Sequence, residues 1–406
     1  MSPSDVGRQA LSTPAQARTR PVWAEIDLGA VRHNASLLSA VAAPGALCAV
    51  VKADGYGHGA IAVARAALEG GATWLAVATP DEGIQLLEAG ILAPVLVLAE
   101  PPAEAMADVV GRGLTLALYS LLGAEAAGAA STRAGAVTDV HVKVDTGMHR
   151  VGAAPAELLE IVRAVVAQPS LRFAALWTHF PVADGIDAED RAFTEGQIRS
   201  LGEARDLLAR AGLAPPMVHA ANSAGALGYP TARLDMARCG IALYGVPPFP
   251  MVDAAVTQVM EVTGARALRP VLSLRAKVTL LRRLDAYERP SYGRLYGLPA
   301  ASTVATVPLG YADGVPRRYF TLGGTVLVGG RRRPLAGMVT MDQIVVDCGP
   351  DDDVAVGDDV VLIGEQGSES LTAPEWAEML GTISHEVFCG IGPRVPRVVV
   401  DREAPR

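Results

Sequence analysis

L-C-A-V-V-K-A-D-G-Y-G-H-G-A, residues 47–60, is the stretch on which the fold of this 406-residue chain turns. Leu47 to Val51 is a short apolar run with β-branched residues at its end, which reads as a fully buried strand of the parallel-sheet kind. It delivers Lys52 to the mouth of a loop. Gly55, Gly57 and Gly59 let the backbone bend and approach a neighbour closely, and Ala60 to Leu68 resumes an apolar, alanine-rich helical pattern. A partly desolvated lysine at a strand end is the arrangement that lowers an amine pKa and makes it nucleophilic. The only lysines are Lys52, Lys143 and Lys277, and every other cationic position is arginine. A Schiff base needs an amine, and a guanidinium cannot form one. Taken alone, the stretch reads more simply as a solvated loop lysine beside a glycine-rich turn.

Outward from this strand the pattern repeats. After an initial run at Val22 to Ile26 and a helix near Ala30 to Val41, candidate strands fall at 47–51, 74–78, 95–98, 114–118, 138–144, 173–177, 217–220 and 234–237. Helical stretches lie between them, among them 60–69, 81–89, 103–110, 154–167 and 187–211. Strands that alternate with helices imply parallel pairing through right-handed crossovers. Eight such units fit a (β/α)8 barrel better than an open doubly wound sheet. No G-x-G-x-x-G opens a helix, which lowers the open-sheet alternative further.

Around Glu261 to Pro270 the grammar changes. Runs at 271–284, 302–309, 325–328, 343–348 and 394–400 are rich in Val, Leu and Thr, with turn residues such as Gly329-Gly330 and Gly357-Asp358 between them. Arg331 to Arg333 reads as a hairpin turn. One helix, about Ala373 to Leu380, takes Thr372 as its N-cap with Glu375 three residues on, and stops at Gly381. The expected organisation is α/β: a loose tail over 1–20, an N-terminal (β/α)8 TIM-like barrel over 21–262, and a C-terminal mostly β domain over 263–406.

Composition narrows the function classes. Half of the residues are apolar, enough for a large core, and the net charge of -8 argues against a nucleic-acid surface. Cys48, Cys239, Cys348 and Cys389 never form a C-x-x-C pair, and three of them sit in apolar runs, so buried free thiols are expected rather than disulfides. The histidines also lack ligand spacing, so no metal is expected. Residues 1–20 have no apolar core of a secretory signal, and no run approaches the roughly 20 residues that span a bilayer. A soluble, cytoplasmic protein without membrane or nucleic-acid partners is the expectation.

In a barrel, chemistry sits at the C-terminal ends of the strands. The unusual polar residues fall there: Lys52 after the first strand, Lys143 and Asp145 to Arg150 after the fifth, His179 after the sixth, His219 with Asn222 and Ser223 after the seventh, Arg238 after the eighth. Each alone has a plainer explanation: His179 as a satisfied core histidine, Asn222-Ser223 as a helix cap, Arg238 as a salt-bridge partner. Together they are hard to obtain from a merely structural barrel. Ser223 and the backbone of Cys239-Gly240-Ile241 offer a phosphate cradle in the region where barrels hold phosphates, and Tyr56 adds a hydroxyl. An amine beside a phosphate cradle suggests pyridoxal phosphate. Most enzymes that use it to stabilise a carbanion place a carboxylate on the pyridine nitrogen. Arg238 cannot accept a proton from that ring, so the cofactor would be a weaker electron sink, which favours simple proton exchange at Cα over elimination or decarboxylation.

With these residues in place, the chain resembles the alanine racemases, fold-type III pyridoxal-phosphate enzymes, from about Trp23 to Arg397. The resemblance is carried by A-E-I-D-L-G-A at 24–30, A-V-V-K-A-D-G-Y-G-H-G at 49–59, K-V-D-T-G-M-H-R at 143–150, T-H-F at 178–180, H-A-A-N-S at 219–223, R-C-G-I-A-L-Y-G at 238–245, S-Y-G at 291–293, G-Y-A-D-G at 310–314 and T-M-D-Q at 340–343. It implies two opposed bases for one α-proton, Lys52 on the D face and Tyr292 on the L face, as inversion at a tetrahedral carbon requires. It also implies a homodimer with Tyr292 placed in the other subunit's site. His179 would hydrogen-bond Tyr292, and His219 would orient Arg238. Arg150 and the Met341 backbone would bind substrate, with Asp342 in support. Lys143 matches a lysine often carbamylated in the family, an anion that would position Arg150.

The chain departs from the family pattern in three places. Met338 stands where arginine is common, Pro393 where a phosphate-binding tyrosine is common, and His385 where tyrosine is frequent. The implied activity is interconversion of L- and D-alanine, supplying D-alanine for peptidoglycan. A broader amino-acid or serine racemase shares nearly every motif, and a non-catalytic pyridoxal-phosphate regulatory protein would resemble only the barrel.

Overall fold

The first strand among the described residues, β1 (Val22–Asp27), stands apart from the eight that follow it. In the computed structural model, which describes residues 19–248, 267–350 and 353–402, those eight are β2 (Ala46–Val50), β3 (Trp74–Val77), β4 (Val95–Val97), β5 (Thr115–Leu118), β6 (Thr138–Lys143), β7 (Leu171–Trp177), β8 (Val218–His219) and β9 (Met236–Cys239). All pair in parallel, in the order β8-β7-β6-β5-β4-β3-β2-β9. Most of their residues are buried on both faces, as expected where helices cover the outside of a barrel.

The seam between β8 and β9 is closed by single bonds rather than a ladder. Asp235 donates its amide to the Val218 carbonyl at 3.1 Å, Arg238 donates to Ala221 at 2.9 Å, and the Asp235 carboxylate accepts the Val218 amide at 2.7 Å. The result is a nearly closed eight-stranded parallel barrel, as the sequence implies.

Helices fit this frame by ordinary rules. In Leu158–Val166, Leu158, Ile161, Val162 and Val165 are buried at i, i+3, i+4 and i+7, one stripe of an amphipathic helix. Burial of each such side chain contributes about 1.5–3 kcal/mol. Thr79 caps the helix Pro80–Glu88 and Glu82 reaches back to complete a capping box. Among the described residues no helix is long and apolar enough to cross a membrane.

The remaining strands build the second unit: β10 (Leu272–Lys277), β11 (Leu280–Leu284), β12 (Ser302–Val307), β13 (Thr325–Val328), β14 (Arg331–Pro334), β15 (Ile344–Asp347), β16 (Asp359–Gln366), β17 (Glu369–Leu371) and β18 (Arg397–Val400). One sheet runs β14-β13-β16-β10-β1-β18 with β17 on β16, and a second runs β11-β12-β15. The helix Ala373–Leu380 has the expected Thr372–Glu375 capping box and a left-handed Gly381 at its end.

Two expectations are corrected. The span 21–262 assigned β1 to the barrel, but the chain divides at Gly29/Ala30 and at Arg269/Pro270; residue 262 itself lies outside the described residues. β1 pairs antiparallel with β10 and parallel with β18, and its alternating burial marks a half-covered sheet strand, unlike the fully buried barrel strands. Arg331 to Arg333 are not the hairpin turn: Gly329-Gly330, both with positive φ, make the turn, and the arginines form β14.

Candidate active site

Register brings the barrel's polar residues together. Residues i and i+2 of a strand share a face, so His141 and Lys143 point the same way from β6. Lys143 lies beside Trp177, Trp177 beside His219, and Cys48 between Trp74 and Arg238. Lys143, His219 and Arg238 therefore sit within the strands; Arg238 lies inside β9 rather than after it, because that strand runs two residues past its expected end.

Arg238 is the hub, with only 2% of its surface exposed. Its Nη1 donates to His219 Nδ1 at 2.7 Å, and its Nη2 donates to the Thr178 and Ala220 carbonyls, each at 2.9 Å, and to His179 Nδ1 at 3.2 Å. Its guanidinium also lies 4.7 Å from the centre of the Trp177 ring. Burial pulls its pKa down to about 10. Burial, and then the arginine's charge, hold His179 and His219 well below the ordinary histidine range, so both rings are neutral and able to accept.

Lys143 is also buried against this cluster, its Nζ 4.9 Å from the Trp177 centroid. Burial, with the charges of Arg150 and Arg238, lowers its pKa to about 8. The loop after it is organised by Asp145, whose Oδ1 accepts the amides of Gly147 and His149 and whose Oδ2 meets the His149 ring at 3.0 Å. Burial raises the Asp145 carboxyl, and these bonds outweigh it, leaving it below the usual range. Arg150 ends the loop, exposed.

The turn after β2 is more constrained than its glycines suggest. Gly55, Gly57 and Gly59 have positive φ, and so do Ala53, Asp54 and Tyr56, giving a left-handed turn directly after Lys52. A left-handed residue with a side chain is unfavourable by about 1–2 kcal/mol, so the surroundings must hold it. The Asp54 side chain accepts the Ala60 amide at 2.8 Å, and Glu82 accepts the Ala53 amide. Tyr244 packs its ring, tilted, against Tyr56 and His58 and donates its hydroxyl to the Val50 carbonyl at 3.1 Å.

On the same rim Asn222 caps the helix Ser223–Gly228, accepting the Gly225 amide at 2.9 Å. Ser223 Oγ accepts the amides of Gly240 at 3.0 Å and Ala242 at 3.3 Å. A methyl group on residue 240 would stand 2.3 Å from the Tyr56 hydroxyl oxygen, so only glycine lets Tyr56 reach this point. Ile241 begins the short helix that follows.

Lys52, Tyr56, Lys143, Arg150, His179, His219, Asn222, Ser223, Arg238, Gly240 and Ile241 thus belong to the barrel unit. Tyr292, Met341 and Asp342 belong to the other. Tyr292 is 70% exposed, after a Ser291 whose φ is 66° and whose hydroxyl donates to the Met338 carbonyl at 2.6 Å. The Met341 carbonyl accepts the Ala312 amide at 3.0 Å, and Asp342 pairs with Arg394 at 2.7 Å. Sequence reasoning missed His141, Trp177 and Glu82. The signal for the first was present, since His141 precedes Lys143 by two in the same strand.

The profile described as "Alanine racemase, N-terminal domain" matches residues 26–248, and "Alanine racemase, C-terminal domain" matches residues 271–399. An alanine racemase from Symbiobacterium thermophilum is 44% identical over 93% of this chain and 97% of its own length. The structure of an alanine racemase from Streptomyces coelicolor A3(2) superposes with a TM-score of 0.86 at 37% identity, covering 96% of this chain and 100% of that one. A histidine racemase from Leuconostoc mesenteroides superposes with a TM-score of 0.83 at 28% identity, covering 96% and 100%. Both domain profiles, over nearly the whole length and in the expected order, place this chain in the alanine racemase family.

Proposed function

We propose that this chain interconverts L- and D-alanine, with pyridoxal 5'-phosphate held on the barrel rim, and so supplies D-alanine for peptidoglycan in the cytoplasm. The observation that carries this reading is the cradle of Tyr56, Ser223 and Gly240 on the rim that also carries Lys52. The Ser223 hydroxyl lies against the backbone amides of Gly240 and Ala242, a group of hydroxyl and N–H donors whose chemistry suits a phosphate, so the residues fit the cofactor. Lys52 would hold it by its amine, Tyr56, Ser223, Gly240 and Ile241 by its phosphate, and Arg238 by its ring nitrogen, with His179 and Asn222 lining the site. When bound, the cofactor supplies the sink for the electron pair left at Cα.

The chain's own residues then decide the outcome. Lys52 Nζ, freed when the amine of the substrate takes its place, would move the proton on the D face, and the Tyr292 hydroxyl would move it on the L face. Tyr292 enters from the second subunit of a homodimer, in keeping with its exposure in the single chain. Arg150 and the Met341 backbone hold the substrate carboxylate, Asp342 supports that loop, and a carbamylated Lys143 positions Arg150. Arg238 presents only donors, so the ring nitrogen gains no proton from it and electron withdrawal stays modest. Fast return of the proton is favoured over side reactions.

A broader amino-acid racemase is the second reading, favoured by the 0.83 TM-score to a histidine racemase, because the same frame there serves a larger side chain. The test of both is α-proton exchange in deuterated water, with alanine, serine and histidine, on wild type, Lys52→Ala and Tyr292→Phe. Exchange of alanine, with each variant losing one face, is expected. Binding of pyridoxal phosphate without exchange of any amino acid would leave a non-catalytic binding protein.

A further inference from the structure

One arginine fixes the tautomers of two buried histidines. Arg238 carries donors only, so the 2.7 Å contact from its Nη1 requires His219 Nδ1 to accept. A neutral ring that accepts at Nδ1 carries its proton on Nε2. His219 Nε2 lies 3.0 Å from His141 Nδ1, so it donates there and His141 accepts. The His141 proton is thereby placed on Nε2, an atom buried without a hydrogen-bond partner among the described residues.

Both rings are held in place. His219 stacks on Trp177 at 5.5 Å with planes 15° apart, and His141 packs against Trp74 at 5.3 Å. Neither ring is more than 1% exposed. Burial drives the His141 pKa down to about 3, so this ring stays neutral across the working range.

The geometry points to His141 as a positioning residue: by accepting the His219 Nε2 proton it locks the tautomer that offers an accepting Nδ1 to Arg238. Without that acceptor, His219 has two poor choices. It can bury an unpaired N–H, or shift the proton to Nδ1, which then faces an arginine N–H. Either way the guanidinium loses a fixed direction. The catalytic consequence rests on Arg238 facing the cofactor ring as proposed above, whereas the tautomer chain does not.

The test compares His141→Asn with His141→Gln in the full-length protein. The Asn carbonyl falls where Nδ1 was, and the Gln carbonyl falls where Nε2 was, so polarity is matched while the acceptor moves. Ring-labelled ¹⁵N-histidine spectra, with and without pyridoxal phosphate, should show His219 unprotonated at Nδ1 in wild type, with a slowly exchanging Nε2 proton. Asn should keep that signal. Gln should lose it and lower kcat about tenfold, the factor equivalent to one lost hydrogen bond, with KM for alanine little changed. A wild-type His219 protonated at Nδ1, or a Gln variant that keeps both signal and kcat, overturns the proposal. Loss of the signal with full kcat also overturns it, since the relay would exist without positioning anything. Should Gln fail to fold, the wild-type spectrum and the Asn variant still decide the tautomer. Wild type that shows the signal but racemises nothing would sink the racemase reading and leave the relay standing.

Discussion

Glu82 Oε1 accepts the backbone N–H of Ala53 at 2.6 Å, while Oε2 of the same carboxylate accepts the amides of Ala78 at 2.8 Å and Thr79 at 3.2 Å. One side chain therefore ties the left-handed turn after Lys52 to the helix that follows β3. Glu82→Ala should destabilise the protein by about 1–2 kcal/mol, the sum expected for a helix cap and a turn contact. It should also loosen Lys52, so that borohydride reduction in pyridoxal phosphate fixes less label on the Lys52 peptide. Glu82→Gln retains one acceptor oxygen and should lie between. Unchanged urea midpoints and label yield in the alanine variant would show that the turn holds itself.

Gly240 and Tyr56 make the second case. A Cβ on residue 240 meets the Tyr56 hydroxyl oxygen at 2.3 Å and its ring carbon Cζ at 3.0 Å, so Gly240→Ala must push the tyrosine out of the cradle. The expected result is a fall in pyridoxal phosphate affinity of about tenfold or more, one lost charge-assisted hydrogen bond. Tyr56→Phe removes the same bond, so the double variant should be little weaker than Gly240→Ala alone. Equilibrium dialysis measures all three, and strictly additive losses would mean that the two residues act apart.

The barrel was legible because its strands carry short, fully buried apolar runs, each followed by a helical stretch; all eight fall within a few residues of their expected positions. β1 was not, because V-W-A-E-I-D alternates like any half-covered strand, and its partners β10 and β18 lie far along the chain. In the site, Lys52 and Arg238 stood out as odd residues at strand ends. His141 did not, since a lone histidine in V-H-V is most simply core, and only the register with His219 gives it a partner. Cys48, Cys239 and Cys348 are buried free thiols as composition suggested, whereas Cys389 is exposed on the short helix Ser384–Gly390, an element absent from the sequence reading.

Lys143 supplies a pH dependence. Its pKa falls from 10.5 to about 8, first through burial and then through Arg150 and Arg238. In bicarbonate-free buffer, where the amine is unmodified, both states hold the proton below the folded value, and the folded state bears a buried cation. Between about 8 and 10.5 the unfolded chain keeps its proton while the folded chain has lost it, so stability rises with pH across that window. Lys143→Met lacks this term. The variant should be more stable than wild type at pH 7, with the gap closing by pH 10.5, read from urea midpoints. A partly neutral amine is also the form that reacts with carbon dioxide. Wild type in ¹³C-bicarbonate should therefore show a carbamate resonance that Lys143→Met lacks. Parallel stability curves for the two proteins would remove the buried amine from the account.

Arg238→Glu reverses the chemistry of the hub. The guanidinium donates to the Thr178 and Ala220 carbonyls and to His219 and His179, and a carboxylate would face those acceptors with none of its own donors. Its buried charge is relieved only by taking up a proton, on the glutamate or on His219, so a folded-state pKa is raised above its unfolded value. Stability from such a group is present at low pH and lost as pH rises through the folded pKa. The variant should be weaker than wild type by about 3–5 kcal/mol at pH 8, the usual penalty for breaking a buried polar pair, and less so at pH 5.5. A carboxylic acid beside the ring nitrogen can also share a proton with it, which strengthens the electron sink. Racemisation should fall and transamination products should appear among the amino and keto acids separated by chromatography. Arg238→Gln, neutral and partly able to donate, should lose less stability and gain no side reaction. A glutamate variant whose urea midpoint tracks wild type at both pH values, with its product spectrum unchanged, would strip Arg238 of both its structural and its chemical role.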